Sequence, residues 1–90
     1  MKEHLIIAEG KVQGVCFRAL VQERAQEKAL KGYVKNLPNG SVEICLQGDE
    51  QTILLFLHEL QKDAGLASIA KLSSKIQEAK KSFDRFMIVR

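Results

Sequence analysis

The pattern of hydrophobic and polar positions predicts two helices, each with one buried face. In residues 18–31 and 50–63 the apolar side chains recur every three or four positions, which is the repeat of an amphipathic helix. The apolar positions are Leu20, Val21, Ala25 and Ala29 in the first segment and Ile53, Phe56, Leu57 and Leu60 in the second. Gly32 is placed to end the first helix, and Asp49 is placed to cap the second.

Five further segments have the composition of β-strands. Their bounds are residues 4–12, 33–37, 41–47, 68–76 and 83–89. In the third segment every second residue is a large aliphatic one, namely Val42, Ile44 and Leu46. The alternation predicts a strand with one face packed and the other in water.

A hairpin is expected between the second and third strands. Pro38-Asn39-Gly40 separates them, and Asn-Gly is a strong signal for a tight turn between antiparallel strands. Gly10 is a candidate bulge in the first strand. The element order βαββαββ predicts a single domain, residues 1–90. We expect an α+β sandwich with two helices on one face of an antiparallel sheet.

The composition limits the kind of partner. Of the 90 residues, 46% are hydrophobic and 28% are charged, which is ordinary for a globular protein. Fourteen basic and eleven acidic residues give a net charge of +3, spread along the chain. This balance permits an anionic partner but falls short of the basic surface of a nucleic-acid-binding domain. A small anion fits it better.

No segment has the pattern of a targeting or membrane-spanning sequence. The apolar run of residues 5–8 is too short for a signal peptide, and that of residues 53–57 is too short to cross a bilayer. We therefore expect a cytoplasmic protein with no membrane partner. Cys16 and Cys45 are expected to be free thiols, because neither has a second Cys or a His at metal-ligand spacing.

Gln13 to Arg18, between the first strand and the first helix, form the main candidate site. The first N–H groups of a helix carry positive partial charge, and no Ser, Thr, Asp or Asn lies between Gln13 and Leu20 to cap them. Gly14 permits a close approach to a ligand, and Arg18 places a planar cation where a helix favours an acid. Bound phosphate would satisfy both groups. The alternative is a simple turn glycine and a solvated arginine.

Asn36 is a second candidate. Residues two positions apart on a strand share a face, so Asn36 lies on the same face as Val34. If Val34 faces the helices, Asn36 faces the helix start that carries Arg18. The alternative is a structural role, since an Asn before a turn often hydrogen-bonds to the backbone. His4 and His58 have no partner at ligand spacing and are expected to be solvated.

Two motifs resemble the signatures of the acylphosphatase family. They are G-K-V-Q-G-V-C-F-R, residues 10–18, and G-Y-V-K-N-L-P-N-G-S-V, residues 32–42. The chain length and the ending F-D-R-F-M-I-V-R also resemble a stand-alone member, so the similarity covers nearly the whole chain. The resemblance implies a ferredoxin-like fold and metal-free, cofactor-free hydrolysis of acyl phosphates. It also implies that Arg18 holds phosphate and that Asn36 places the attacking water.

The implied phosphate-binding loop is Gln13, Gly14, Val15, Cys16, Phe17 and Arg18. An acyl phosphate releases a carboxylate, whose acid has a pKa near about 4, so no general acid and no catalytic His are required. The expected partners are an acyl phosphate as substrate and inorganic phosphate as product and inhibitor, with the protein a monomer. Cys16 is either a reactive thiol favoured by Arg18 and the helix N-terminus or a small packed residue.

Other functions fit the sequence less well. A nucleic-acid-binding module of this fold would stack bases on strand aromatics, and residues 4–12 and 41–47 contain none. A metal-carrier domain would need paired thiols in the first loop, where Cys16 is alone. The remaining alternative is a non-catalytic or regulatory module that binds acyl or carbamoyl phosphate, as in acylphosphatase-like domains of larger maturation enzymes. The ending at Arg90 favours the stand-alone enzyme.

Overall fold

The computed structural model describes every residue from Met1 to Arg90. Its elements are β1 (Lys2–Lys11), α1 (Phe17–Glu27), β2 (Lys31–Asn36), β3 (Val42–Gln47), α2 (Glu50–Lys62), β4 (Ser68–Glu78) and β5 (Phe86–Val89). The predicted order βαββαββ is confirmed, and the two helices pack on a five-stranded sheet.

The sheet has the strand order β4-β1-β3-β2-β5. Three of its pairings are antiparallel, but β5 runs parallel to β2. The prediction of an antiparallel sheet is therefore wrong at this edge, and the sheet is mixed. The reason is topological. The chain leaves β4 at one edge, crosses the sheet and returns at the other edge, so β5 runs opposite to β4 and along β2. The order is that of a ferredoxin-like α+β fold, as expected.

One face of the sheet and both helices form the hydrophobic core. Helix α1 buries Phe17, Val21 and Ala25, and α2 buries Ile53, Phe56 and Leu60. The sheet contributes chiefly Ile6, Ala8, Val34, Val42, Ile44 and Leu46, all fully buried. Burying a large aliphatic or aromatic side chain contributes about 1.5–3 kcal/mol, so this interface holds the helices more than their intrinsic propensity does.

The other face of the sheet is less exposed than the alternation of apolar and polar residues in β3 predicts. Cys45 and Gln47 are buried there, at 1% and 4% exposure. The crossing segment between β4 and β5 covers Gln47, whose Nε2 donates to the Lys81 carbonyl oxygen (2.8 Å) and whose Oε1 accepts from the Phe83 N–H (3.1 Å). The Phe83 ring also packs edge-on against Tyr33. For this reason β5 begins at residue 86 rather than 83.

Helix α1 ends four residues before its predicted end. Ala29 takes a left-handed conformation (φ 56°), and the N–H groups of Ala29 and Leu30 donate to the carbonyl oxygens of Gln26 (3.0 Å) and Ala25 (2.9 Å). This pair of bonds is the Schellman motif, with alanine at the position that usually holds glycine. Gly32 is not the cap; it lies in β2, where a side chain would collide with the backbone of β3.

The other local predictions hold. The Asp49 side chain accepts from the Thr52 N–H (3.0 Å) and so caps α2, whose bounds agree with the predicted ones. The register of β1 against β4 shifts between Glu9 and Gly10, which confirms the bulge. Residues 31–36 and 42–47 pair antiparallel around the predicted turn.

Replacing Ala29 with glycine should stabilise the protein. A left-handed alanine is strained and a left-handed glycine is not, so we expect Ala29→Gly to raise the free energy of unfolding by about 0.5–1 kcal/mol. Chemical denaturation measures it. Ala70→Gly, an exposed change within β4, is the control and should destabilise. A destabilised Ala29→Gly would show that the left-handed turn carries no strain.

Candidate active site

The loop between β1 and α1 is anchored in the core at both ends. Val12 and Phe17 are buried, at 1% and 2% exposure, and both belong to the main hydrophobic cluster. Phe17 shares its buried face with Val21, as the helical spacing predicts. The backbone between Val12 and Phe17 therefore has little freedom to move relative to the sheet.

Within this loop the sign of φ alternates. Gly14 (φ 77°) and Cys16 (φ 59°) are left-handed, while Gln13 and Val15 have negative φ. A backbone that passes through two left-handed residues in this way curves sharply, and curved loops of this kind can form anion-binding nests of N–H groups. Cys16 is the N-cap of α1 and provides no side-chain cap.

The N–H groups at the start of α1 are free. The first that donates within the backbone belongs to Leu20, whose acceptor is the Cys16 carbonyl oxygen at 3.2 Å. Residues 13–19 precede it, and none of their N–H groups has a hydrogen-bond acceptor in the protein. Free donors at a helix N-terminus carry positive partial charge, so this end of α1 suits an oxyanion.

Arg18 lies beside these donors. Its side chain is half-buried, and the Nη1 donates to the Val89 carbonyl oxygen at 3.3 Å. The structure pairs Arg18 with no carboxylate. A guanidinium has five N–H donors, so most of them remain available to a ligand while the bond to β5 fixes the direction of the side chain.

Asn36 faces the same space. It is the last residue of β2, it is exposed, and Val34, two positions before it, is fully buried against the helices. Asn36 and Arg18 line one cavity of about 250 Å³. The expectation drawn from strand alternation, that Asn36 faces the helix start, is confirmed.

Four of the six residues of the predicted loop line this cavity. The full lining is Val12, Gly14, Cys16, Phe17, Arg18, Ala19, Asn36, Ile88 and Arg90. Gln13 and Val15 are not part of it: the Gln13 side chain turns toward the β2–β3 hairpin, and Val15 packs against the core.

Four lining residues were not predicted: Val12 and Ala19, which flank the loop, and Ile88 and Arg90. Ile88 and Arg90 are brought to the cavity by the parallel pairing of β5 with β2, in which Ile88 lies beside Val34. The Arg18–Val89 hydrogen bond spans 71 positions in sequence. No local pattern signals a contact of that range; the only signal would have been correct placement of β5 at this edge.

The lining includes two arginines and no acidic residue. No cluster of His, Cys, Asp or Glu side chains elsewhere has the arrangement of a metal site. Neither helix is long and apolar enough to span a membrane. His58 is exposed as expected, but His4 is buried at 7% exposure, because it shares the core-facing side of β1 with Ile6.

The two cysteines are unpaired but lie in different surroundings. Cys16 is exposed at the cavity, whereas Cys45 is buried. Burial, together with a hydrogen bond to the Glu3 carboxylate, raises the pKa of the Cys45 thiol to about 12. Cys45 is therefore protonated and inert at neutral pH.

Comparison with known proteins identifies the class to which this fold and cavity belong. The acylphosphatase family model matches residues 4–88. An acylphosphatase of Geobacillus kaustophilus is 36% identical over 89 residues, which are 99% of this chain and 95% of the relative. The crystal structure of acylphosphatase from Bacillus subtilis matches with a TM-score of 0.92 and 33% identity and covers 100% of both chains. HypF from T. kodakarensis matches with a TM-score of 0.90 and 36% identity, over 99% of this chain but 12% of HypF.

These matches make the chain an enzyme of the hydrolase class. It belongs to the acylphosphatase family. The resemblance inferred from the two motifs is therefore confirmed, as is the fold that it implied.

Thiol chemistry can test the exposure of the loop. We expect a thiol reagent at pH 8 to modify Cys16 in the folded protein and to leave Cys45 unreacted, because the Cys45 thiol is buried and protonated. Inorganic phosphate should slow the reaction at Cys16 by occupying the cavity. Mass spectrometry of the alkylated peptides measures both rates. Equal rates at the two thiols, without phosphate, would contradict the structure of the site.

Proposed function

We propose that this protein hydrolyses the carboxyl–phosphate bond of acyl phosphates, with the phosphate held by Arg18 and the N–H groups of the loop and the water oriented by Asn36. Family membership supports the reaction. The observation that carries the residue roles is the cavity itself, where the free N–H groups, the Arg18 guanidinium and the Asn36 amide meet.

The reaction needs little covalent assistance from the protein. A water oxygen attacks phosphorus, the bond from phosphorus to the acyl oxygen breaks, and the carboxylate leaves with the electron pair. The proton of the water passes to a phosphate oxygen. Because the leaving acid has a pKa near about 4, it departs as an anion without a general acid. A cavity without His, Asp or Glu fits this chemistry.

Arg18 and the loop act on the phosphate. In phosphoryl transfer the transition state is loose, with charge spread over the equatorial oxygens, and catalysis consists mainly of positioning and electrostatic stabilisation. The guanidinium fork binds two oxygens at once, and the free N–H groups of α1 face the third. Both sets of donors are fixed before the substrate arrives, because Arg18 is tied to β5 and the loop is anchored in the core.

Asn36 acts on the water. Its side-chain amide offers an acceptor and two donors, and it stays neutral at every pH. A neutral group can hold water beside an anion without repelling the phosphate, which a carboxylate base could not do. The position of Asn36 on the cavity wall formed by β2, across from α1, supports this division of labour.

We also propose that the substrate is a small acyl phosphate and that inorganic phosphate is the product and a competitive inhibitor. No metal or cofactor takes part, and nucleic acids and membranes are not partners. We infer a cytoplasmic monomer; the two unpaired cysteines are consistent with a reducing compartment.

A second candidate function is binding without turnover. The match to a small part of HypF shows that domains like this one occur inside larger proteins. In such a setting the same cavity could bind an acyl or carbamoyl phosphate for another site. The two functions differ in one measurable property, the release of inorganic phosphate.

Phosphate release from acetyl phosphate is the direct test of the proposed function. We expect turnover that is unchanged by a chelator, since the cavity lining has no His, Asp or Glu and only one Cys. We also expect no release from a phosphate monoester, whose alkoxide leaving group needs an acid. Activity that disappears with the chelator and returns with Mg²⁺ would contradict the metal-free mechanism. Binding without release would favour the second candidate function.

Substitutions at Arg18 and Asn36 should produce defects of different kinds. Arg18→Ala should lose about 10²-fold or more in rate and should also lose phosphate binding, because the same contact serves ground state and transition state. Arg18→Lys should fail similarly, since an ammonium lacks the planar fork. Asn36→Ala should lower kcat but still bind phosphate, which raises the melting temperature of any protein whose native state binds it.

Thermal shift and inhibition by inorganic phosphate, measured on each variant, separate the two defects. A near-normal rate in Arg18→Ala or Arg18→Lys would refute the role of Arg18. Loss of phosphate binding in a folded Asn36→Ala, as complete as in Arg18→Ala, would place Asn36 among the phosphate-binding groups instead.

A further inference from the structure

We propose that Gln13 is a positioning residue whose side-chain amide fixes the β2–β3 hairpin, and with it Asn36, relative to the phosphate loop. This inference rests on the proposed function. It removes Gln13 from the group of phosphate ligands, where the sequence motif suggested placing it, and assigns it a role that acts through Asn36.

The Gln13 amide uses both of its N–H donors on the hairpin. Its Nε2 donates to the carbonyl oxygens of Leu37 (2.9 Å) and Ser41 (2.8 Å). The Gln13 side chain is half-buried. A side-chain NH₂ group has two donors, so no hydrogen of this group remains for a ligand.

The two acceptors stand at opposite ends of one rigid turn. The Leu37 N–H donates to the Ser41 carbonyl oxygen (2.9 Å), and the Gly40 N–H donates to the Leu37 carbonyl oxygen (3.1 Å). Gly40 is left-handed (φ 93°), which gives the three-residue loop with a bulge that commonly closes hairpins. The Asn39 Oδ1 accepts from the Ser41 N–H (3.0 Å) and braces the turn internally. Gln13 therefore binds a hairpin turn, residues 37–41, that is cross-linked by its own hydrogen bonds.

The two hydrogen bonds from Gln13 to Leu37 and Ser41, which we call the clamp, lie next in sequence to the phosphate loop and to Asn36. Gln13 precedes Gly14 of the loop, and Leu37 follows Asn36 of β2. The two bonds of the Gln13 amide are the only hydrogen bonds between residues 12–18 and residues 36–41. The Gln13 amide is thus the one direct hydrogen-bonded link between the loop that carries the free N–H groups and the hairpin that begins next to Asn36.

Catalysis should be more sensitive than folding to the loss of this clamp. The Leu37 and Ser41 carbonyl oxygens keep their partners within the hairpin, so removing the amide leaves no acceptor without a bond. A shift of about 1 Å in a water-orienting group, by contrast, can cost about 10²-fold in rate. In the proposed function phosphate binding depends on Arg18 and the loop N–H groups, and the buried Val12 and Phe17 hold the loop in place without the Gln13 amide.

Gln13→Met is the first variant to test, because it keeps the length of the side chain and removes both donors. We expect kcat for acetyl phosphate to fall about 10–100-fold, with inhibition by inorganic phosphate changed less than about 3-fold. Gln22→Met is the matched control. It removes a similar side-chain hydrogen bond, from the Gln22 Nε2 to the Phe86 carbonyl oxygen (3.3 Å), and it should leave kcat near normal.

A double-mutant cycle with Asn36→Ala identifies the residue through which Gln13 acts. If Gln13 only positions Asn36, then Gln13→Met should lower kcat by less than about 2-fold once Asn36 is absent. A full loss in the Asn36→Ala background would refute the proposal, as would a rate equal to that of Gln22→Met. Loss of phosphate inhibition in folded Gln13→Met would also refute it and make Gln13 a phosphate ligand.

A shorter side chain and amide hydrogen exchange provide two further tests of the Gln13 hydrogen bonds. Gln13→Asn retains the amide but is one methylene too short to reach both carbonyls, and it should show the same pattern if the Met variant does not fold. If the wild-type protein releases no phosphate from acetyl phosphate, the proposed function is wrong, and amide hydrogen exchange judges the clamp alone. Faster exchange at Leu37 and Gly40 in Gln13→Met, but not in Gln22→Met, supports the clamp; unchanged exchange overturns it.

Discussion

Burial of Val12 and Phe17 is the constraint on which the site depends. These side chains anchor the two ends of the β1–α1 loop in the core formed by the helices and the sheet. The short backbone between them must then reverse direction through the left-handed residues Gly14 and Cys16. That geometry leaves the N–H groups of the loop and of the first turn of α1 without acceptors in the protein, and most of these residues line the cavity.

The N-termini of the two helices differ in the interactions that stabilise them. Helix α2 begins with Asp49 as a side-chain cap and Glu50 in its first turn, whereas α1 has neither a side-chain cap nor an acid there. A cap contributes about 0.5–2 kcal/mol, and a charge that complements the helix dipole contributes about 0.3–1 kcal/mol. In the proposed function, the phosphate of a substrate or product would supply both to α1. On this proposal the protein leaves at the cavity an interaction that its ligand completes.

Much of this arrangement could be read from the sequence, because it depends on local rules. Helical spacing located both helices, the Asn-Gly turn located the hairpin, and strand alternation placed Asn36 opposite the start of α1. The loop was recognisable because the capping residue types are missing where a helix needs them.

The features that the sequence did not reveal depend on long-range contacts. The position of β5 beside β2 is decided by the path of the crossing segment, and it alone brings Ile88 and Arg90 to the cavity. Gln47 is covered by that same segment, and Cys45 on the same face is also buried, although the alternation in β3 indicates a face in water. The end of α1 was missed for another reason: Ala29 occupies a backbone conformation for which alanine gives no signal.

Phosphate titration followed by ¹H–¹⁵N NMR tests the central claim, that the loop N–H groups and Arg18 form the phosphate site. We expect the largest shifts at the backbone N–H groups of residues 14–19 and at the Arg18 side chain. The N–H groups at the start of α2, which Asp49 already caps, should stay unchanged and serve as an internal control. Shifts at α2, or none in residues 14–19 at saturating phosphate, would contradict the assignment of this site.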